Sequence, residues 1–198
     1  MSTEPIRLAI IGSTGSIGRN ALEVVRAHRA RFEVVALAAG SNVEALAKQV
    51  HEFAPRYAGV SDVAAAHVLE RLCRGVDVRS GSEGIASLAA LDDVDAVLLS
   101  VVGMAGLAPA LAAARAGKRL ALATKEVLVA AGALVLEEAQ AHGARIVPVD
   151  SEHCAIFQCM QAAGAHGSAS VARLVLTASG GPFRTREPDA LEHVTPAE

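Results

Sequence analysis

Two carboxylates separated by a hydroxyl are the residues of this sequence best suited to chemistry. Asp150, Ser151 and Glu152 follow the apolar run 144–149 and precede the helical pattern 153–163. Residues two apart at the end of a strand point to the same side, and carboxylate oxygens are the ligands that Mg²⁺ and Mn²⁺ prefer. The same triplet also suits a helix N-terminus, with Asp or Ser as the N-cap and an acid in the first turn. The sequence leaves both interpretations open.

A glycine-rich turn near the start of the chain has the character of a phosphate-binding loop. Gly12, Gly15 and Gly18 follow the strand pattern 7–11 and lead into a helical pattern. Such glycines permit a tight turn and let a pyrophosphate approach the backbone at the helix N-terminus. The spacing is one residue looser than the usual dinucleotide fingerprint. We therefore expect a dinucleotide site here, with a glycine-rich turn that binds nothing as the alternative.

The segment after the second predicted strand indicates which dinucleotide would bind. Enzymes that use NAD commonly place an Asp or Glu there, where it binds the ribose hydroxyls. Residues 38–42 contain no acid, so nothing would repel a 2′-phosphate, and NADPH is favoured over NADH. No Arg or Lys is present either, and Ser41 and Asn42 offer only neutral hydrogen bonds.

Two further loops follow predicted strands. Lys125 and Glu126 come after the strand 119–123. This Lys can bind a substrate phosphate or oxyanion, and the Glu can bind a cofactor hydroxyl. The alternative is an ordinary surface pair, since exposed Lys and Glu are common.

Ser179 opens a Ser-Gly-Gly loop after the strand 173–177. Consecutive N–H groups in such a loop can hold a phosphate; alternatively, the loop is simply a turn.

The apolar pattern alternates between strands and helices. The predicted strands are 7–11, 33–38, 57–60, 96–101, 119–123, 144–149 and 173–177, and the predicted helices are 17–30, 43–53, 63–73, 107–116, 125–141 and 153–163. Near-continuous apolar strands joined by helices predict an α/β protein with a doubly wound, mostly parallel, Rossmann-like sheet. We place a dinucleotide-binding domain at 1–148 and the start of an α/β catalytic domain at 149–198.

Composition excludes several classes of function. A net charge of −3 and an aromatic content of 3% argue against binding nucleic acid. The uncharged stretch 96–114 approaches the length of a membrane span, but Gly103, Gly106 and Pro109 divide it into a strand, a turn and a helix start. The three cysteines are odd in number and lack a metal-binding spacing, which fits the reducing cytoplasm.

Six of these segments together resemble the 1-deoxy-D-xylulose 5-phosphate reductoisomerase family: residues 12–18, 39–42, 100–107, 123–126, 147–153 and 179–184. The similarity spans nearly the whole chain, and the run 147–153 is the most specific part of it. The resemblance implies NADPH- and metal-dependent conversion of that sugar phosphate to 2-C-methyl-D-erythritol 4-phosphate, in the non-mevalonate isoprenoid pathway. It also implies a homodimer for the full-length protein.

The resemblance further assigns roles to individual positions. It implies that Asp150 and Glu152 hold Mg²⁺ or Mn²⁺ and act in catalysis with Lys125. The substrate would be contacted by Lys125, Ser151 and Glu152, and its phosphate by Ser179. The implied cofactor ligands are Ser13, Thr14, Gly15, Ser16, Ile17, Gly40, Asn42, Thr124 and Glu126.

The chain departs from the family pattern in three ways. Ser41 stands where many members carry a basic residue, and Thr124 replaces an Asn that is common before the Lys-Glu pair. The sequence stops before the family's lid, its further phosphate ligands, its third metal carboxylate and its helical domain, so we expect the 198 residues alone to be inactive. A nucleotide-binding module without catalysis is the main alternative. A reductase of the aspartate-semialdehyde dehydrogenase kind would need a Cys nucleophile, and Cys154 and Cys159 have no suitable partner pattern.

Overall fold

The computed structural model describes residues 4–162, 169–177 and 181–195. The chain forms two compact units, which divide between Asp150 and Ser151. The first unit is a parallel sheet with helices on both faces. The second unit begins with a single helix.

Seven strands and seven helices make up the regular structure of the described residues. In chain order they are β1 (Ile6–Ile11), α1 (Ser16–Ala27), β2 (Phe32–Ala38), α2 (Val43–Phe53), β3 (Tyr57–Val60), α3 (Val63–Leu72), β4 (Asp77–Ser80), α4 (Gly81–Leu88), β5 (Ala96–Leu99), α5 (Leu107–Arg115), β6 (Arg119–Leu122), α6 (Lys125–Ala141), β7 (Arg145–Pro148) and α7 (Ser151–Ala162). Short 3₁₀ turns occur at Gly103–Gly106, Gly181–Phe183 and Pro188–Leu191.

The sheet is doubly wound. Its strand order is β4-β3-β2-β1-β5-β6-β7, and every neighbouring pair is parallel. The chain adds strands outward on one side of β1 as far as β4 and then crosses back to place β5 on the other side. The predicted doubly wound, Rossmann-like fold is confirmed, and the sheet is parallel throughout.

The core lies in two layers, one on each face of the sheet. Successive strand residues point to opposite faces, so Ile10 packs in one layer and Ile11 in the other, both with no exposed surface. One layer is covered by α1, α2 and α3, through side chains such as Leu22, Leu46 and Leu69. The other is covered by α4, α5 and α6. Each buried Leu or Ile contributes roughly 1.5–3 kcal/mol of hydrophobic stabilisation.

The long uncharged stretch forms the strand, turn and helix that its glycines and proline predict. β5 is followed by the 3₁₀ turn Gly103–Gly106 and then by α5. Among the residues that the structure describes, no helix is long and apolar enough to cross a membrane.

The secondary structure differs from the prediction in two regions. Strand β4 and helix α4 were not expected, because the sequence of β4 is Asp-Val-Arg-Ser and lies at the sheet edge, where it buries none of its side chains fully. A short polar edge strand lacks the apolar run on which strand prediction depends.

The predicted strand at 173–177 does not form: these residues have no regular structure. Its apolar side chains Leu174, Val175 and Leu176 are 56%, 66% and 62% exposed. A strand is stabilised by pairing with a neighbour, and within the described part of the second unit there is no other strand to supply one.

Candidate functional site

A cleft lies at the carboxyl ends of the central strands. It encloses about 320 Å³ and is lined by the glycine-rich loop after β1, by the residues after β2 and by those after β5. β1 and β5 are the neighbours between which the winding direction of the sheet reverses. Open parallel sheets bind ligands at this topological switch point. The cleft is therefore the candidate ligand site.

A larger concavity, of about 630 Å³, lies at the opposite edge of the sheet. Its lining includes Arg7, Asp95, Arg119 and Arg145, which stand at or next to the amino ends of their strands. In this fold the amino ends of the strands are not where ligands bind. Size alone is a poor guide here, and we favour the smaller cleft.

The loop after β1 requires glycine at two positions. Gly12 has a φ of +95°, and a Cβ atom there would lie 2.6 Å from the Ser100 carbonyl oxygen. A Cβ atom on Gly18 would lie 2.3 Å from the Gly12 carbonyl oxygen. The first glycine thus makes the tight turn, and the last lets α1 pack directly against the loop.

The amino end of α1 faces this loop and supplies hydrogen-bond donors. Gly15 is the N-cap residue, and no side chain caps the helix. Ser16 and Ile17 open the helix, so their N–H groups lack partners within it. Thr14 and Gly15 line the cleft. A phosphate at this end would be stabilised by the N–H groups and by the helix dipole.

Ser13 supports the loop through hydrogen bonds within the protein. It is fully buried, its N–H donates to the Ala38 carbonyl at 2.8 Å, and its hydroxyl donates to Gln49 Oε1 at 2.7 Å. Gln49 Nε2 in turn donates to the Ser13 carbonyl at 2.9 Å. These contacts hold the loop in place, and the role of Ser13 as a direct cofactor ligand stays a prediction.

Sequence reasoning missed Gln49. It lies on α2 three residues after Leu46, on the side of the helix that is otherwise apolar and packs on the sheet. A polar residue at a core position of an amphipathic helix was the available signal.

The residues after β2 form the second wall of the cleft. Gly40 is exposed, and its carbonyl accepts a hydrogen bond from the Ser61 hydroxyl at 3.1 Å. Asn42 caps α2 through its Oδ1, which accepts from the Ala45 N–H at 3.1 Å, and its amide nitrogen remains a donor. Both positions were predicted cofactor ligands, and both lie at the mouth of β2, where the ribose of a dinucleotide binds.

Thr124 is buried, and its hydroxyl is hydrogen-bonded within the protein. It is 2% exposed, and its hydroxyl donates to the Val101 carbonyl at 2.6 Å. Val101 and its neighbour Val102 line the cleft. Thr124 thus holds the segment after β5 in place, and its contact with a cofactor stays a prediction.

Lys125 and Asp150 meet across two neighbouring strands. Lys125 begins α6 after β6, Asp150 follows β7, and the parallel pairing of these strands places both residues at the same edge. Lys125 Nζ lies 2.9 Å from Asp150 Oδ2, with side-chain exposures of 60% and 15%. Glu126 is exposed in the first turn of α6. The structure therefore joins a predicted catalytic cation to a predicted metal ligand.

Ser151 and Glu152 open α7 in the second unit. The Ser151 hydroxyl donates to Glu152 Oε2 at 2.6 Å, and Glu152 is in the first turn, as the helix-start interpretation also expects. In residues 4–162, 169–177 and 181–195, no group of three or more His, Cys, Asp or Glu side chains is arranged to hold a metal ion. Ser179, the predicted phosphate ligand, lies outside the described residues.

The parallel doubly wound sheet, the glycine-rich loop and the cleft at the switch point define a Rossmann-like α/β protein. The chain belongs to the 1-deoxy-D-xylulose 5-phosphate reductoisomerase family, since that family's model matches residues 8–132. The model of the same family's C-terminal domain matches residues 146–198.

Relatives and solved structures agree with this assignment. The 1-deoxy-D-xylulose 5-phosphate reductoisomerase of Burkholderia multivorans is 52% identical over an alignment that covers 97% of this chain and 49% of the relative. The Zymomonas mobilis enzyme, solved in complex with NADPH, superposes with a TM-score of 0.85 at 38% identity, covering all of this chain and 52% of that one. A reductoisomerase solved with NADPH, fosmidomycin and magnesium gives 0.83 at 39% identity, covering 96% and 49%. The chain thus spans about half the length of the relatives that it matches.

Proposed function

We propose that these residues are the NADPH-binding domain and the first part of the metal- and substrate-binding domain of a 1-deoxy-D-xylulose 5-phosphate reductoisomerase. The reaction of the whole protein would be the NADPH-dependent rearrangement and reduction of that sugar phosphate to 2-C-methyl-D-erythritol 4-phosphate. The observation that carries the proposal is the family match over residues 8–132 together with a cleft walled by the glycine-rich loop. We keep residue 148 as the proposed end of the first domain.

The cleft fits NADPH. Thr14, Gly15 and the first N–H groups of α1 would bind the pyrophosphate, because the N-cap position there has no side chain of its own. Gly40 and Asn42 would bind the adenosine ribose, and Glu126 a hydroxyl of the cofactor. A methyl group on residue 15 would obstruct the path by which a pyrophosphate approaches the backbone of the loop. Glycine, which has only a hydrogen there, leaves this path open.

The metal would be held by Asp150 and Glu152. Two carboxylates suit Mg²⁺ or Mn²⁺, since such ions keep several water ligands besides one or two acids. When bound, NADPH supplies the hydride and the divalent ion supplies Lewis-acid chemistry at the substrate oxygens. Lys125 would bring positive charge to the oxygens that become negative, and its contact with Asp150 would hold its ammonium at the metal site. Ser151 and Ser179 would bind the substrate.

Cofactor preference tests the proposal directly. No acid follows β2, so the chain should bind NADPH more tightly than NADH. Titration monitored by nicotinamide fluorescence measures both affinities. Equal affinities, or a preference for NADH, would contradict the proposed cofactor, and no binding of either would reject the dinucleotide site.

Turnover separates the proposal from its alternative, a nucleotide-binding module without catalysis. The relatives contain about as many residues again beyond the part that this chain matches, and family metal and phosphate ligands are expected there. The 198 residues should therefore bind NADPH but oxidise it very slowly with 1-deoxy-D-xylulose 5-phosphate and Mn²⁺. A chain extended to the relatives' full length should catalyse the reaction; an inactive extended chain would favour the alternative.

The proposed cellular location, oligomeric state and range of partners rest on other observations. The cytoplasm is proposed because Cys73, Cys154 and Cys159 are all free thiols. A homodimer is proposed for the full-length protein from the family resemblance, and light scattering would measure it. Nucleic acid is not proposed as a partner because the net charge is −3.

A further inference from the structure

A reciprocal pair of hydrogen bonds ties the glycine-rich loop to helix α2. The Ser13 hydroxyl donates to Gln49 Oε1 at 2.7 Å, and Gln49 Nε2 donates to the Ser13 carbonyl at 2.9 Å. Ser13 is fully buried and Gln49 is half-buried. A buried hydroxyl and carbonyl without partners would be costly, so the pair fixes Ser13 firmly against α2.

The loop is also fixed against β2. The N–H groups of Gly12 and Ser13 both donate to the Ala38 carbonyl at 2.8 Å. Ala38 is the last residue of β2, and Gly40 and Asn42 follow it before α2 begins. Ser13 therefore connects the loop to both sides of the segment 40–42, the other proposed half of the cofactor site. Its N–H is bonded to the last residue of β2, before this segment. Its side chain is bonded to Gln49 on α2, after this segment.

We propose that Gln49 is a positioning residue for dinucleotide binding, which acts through Ser13 to set the glycine-rich loop at the correct distance from the segment 40–42. This inference rests on the proposed NADPH site. NADPH must contact both parts at once, because its pyrophosphate binds the loop and its ribose binds the segment after β2. Gln49 does not line the cleft; its role would be to determine whether both parts can be contacted together.

Comparing the affinity for NADPH with the affinity for a fragment of it distinguishes a positioning role of Gln49 from a general effect on the fold. Gln49→Met keeps the length of the side chain and removes both hydrogen bonds. It should raise the Kd for NADPH about tenfold and leave the Kd for adenosine 2′-monophosphate within about twofold, since that fragment lacks the pyrophosphate and needs only the segment after β2. Calorimetry measures the first and ligand-observed NMR the second, at a temperature at which circular dichroism shows the variant folded.

Gln49→Glu provides a second variant if Gln49→Met fails to fold. Its carboxylate still accepts from the Ser13 hydroxyl but cannot donate to the Ser13 carbonyl, so the affinity for NADPH should again fall selectively. The control is Gln140→Met, the same change at an exposed position of α6, which should leave both affinities unchanged.

The outcomes separate the inference from the function on which it rests. If the unchanged chain fails to bind NADPH, the proposed function is wrong. If it binds NADPH and both Gln49 variants bind it equally well, or lose NADPH and the fragment to the same degree, the positioning role of Gln49 is wrong while the cofactor site stands.

Discussion

At the scale of single residues, two buried hydroxyl groups hold the backbone of the candidate site in place. Ser13 and Thr124 both donate to groups within the protein, at 2.7 Å and 2.6 Å, and so fix the loops after β1 and β5. Gly15 and Asn42 are exposed, and they are the positions proposed to contact the ligand. We therefore expect Ser13 and Thr124 to support the proposed cofactor site through the backbone that they hold.

Two glycines of the loop should respond differently to the same substitution. Gly18→Ala should destabilise the sheet unit by about 2 kcal/mol or more, because the new methyl group would meet the Gly12 carbonyl at 2.3 Å. Gly15→Ala, whose Cβ atom would be 3.3 Å from the nearest backbone oxygen, should stay folded and lose NADPH affinity about tenfold or more. Urea denaturation and fluorescence titration measure the two effects.

Gly132→Ala is the matched control, since its Cβ atom would make only an ordinary contact at 3.8 Å. It should change the free energy of unfolding by less than about 1 kcal/mol. A Gly18→Ala variant as stable as this control would show that the close packing of α1 on the loop is not required.

Replacing Asp150 should weaken metal binding and leave cofactor binding nearly unchanged. Asp150→Asn keeps the shape of the side chain and an acceptor for Lys125, but it removes the charge that attracts a divalent ion. We expect Mn²⁺ binding, measured by calorimetry, to weaken at least about tenfold, while the Kd for NADPH stays within about twofold. Asp92→Asn, an exposed Asp before β5, is the control. Unchanged Mn²⁺ binding in Asp150→Asn would remove Asp150 from the proposed metal site.

At the scale of elements, an ion pair joins the two central strands at the edge opposite the cleft. Arg7 on β1 donates to both carboxylate oxygens of Asp95, just before β5, at 2.6 Å and 3.1 Å, and its N–H donates at 2.9 Å. The hydrogen bond from the Arg7 side chain lowers the pKa of Asp95 below its usual 3.8 against the opposing effect of burial. These strands define the switch point, so the pair supports the floor of the cleft.

The lowered pKa predicts how stability depends on pH. Because the folded state holds the Asp95 carboxylate ionised, its contribution is present above about pH 4 and is lost as the pH falls through the depressed folded-state pKa. Urea midpoints of the unchanged chain and of Asp95→Asn should differ at neutral pH and converge in acid. Asp92→Asn, at an exposed position before β5, is the matched control for the loss of one negative charge. A constant difference between the chain and Asp95→Asn down to acid pH would show that the pair does not stabilise the fold.

At the scale of the whole molecule, the two units differ in how much they bury. The sheet unit has two extensive core layers, whereas none of the side chains of α7 is fully buried. Ile156, Phe157 and Met160 are all only half-buried within that helix. Stability measured locally should follow this difference, since segments with few buried apolar contacts open most easily.

Limited proteolysis should therefore cut the second unit first and leave a resistant fragment that ends near Asp150. That fragment should still bind NADPH, and NADPH should slow its further digestion, because a ligand that binds only the folded state stabilises it. Mass spectrometry of the fragments and fluorescence titration check both statements. First cuts within α1 to α6 would contradict this order of stability.

The sequence alone determined the doubly wound fold, because strands buried on both faces must be nearly continuous apolar runs, as in β1, β2 and β5. It also determined the glycine-rich loop and the family, whose motifs are local in the chain. It missed β4, an edge strand with a polar sequence, and predicted a strand at 173–177, since apolar residues indicate burial but cannot supply a pairing partner. Tertiary structure alone decided that Lys125 meets Asp150 and that Gln49 meets Ser13, because 25 and 36 residues separate these partners and only the order of the strands brings them together.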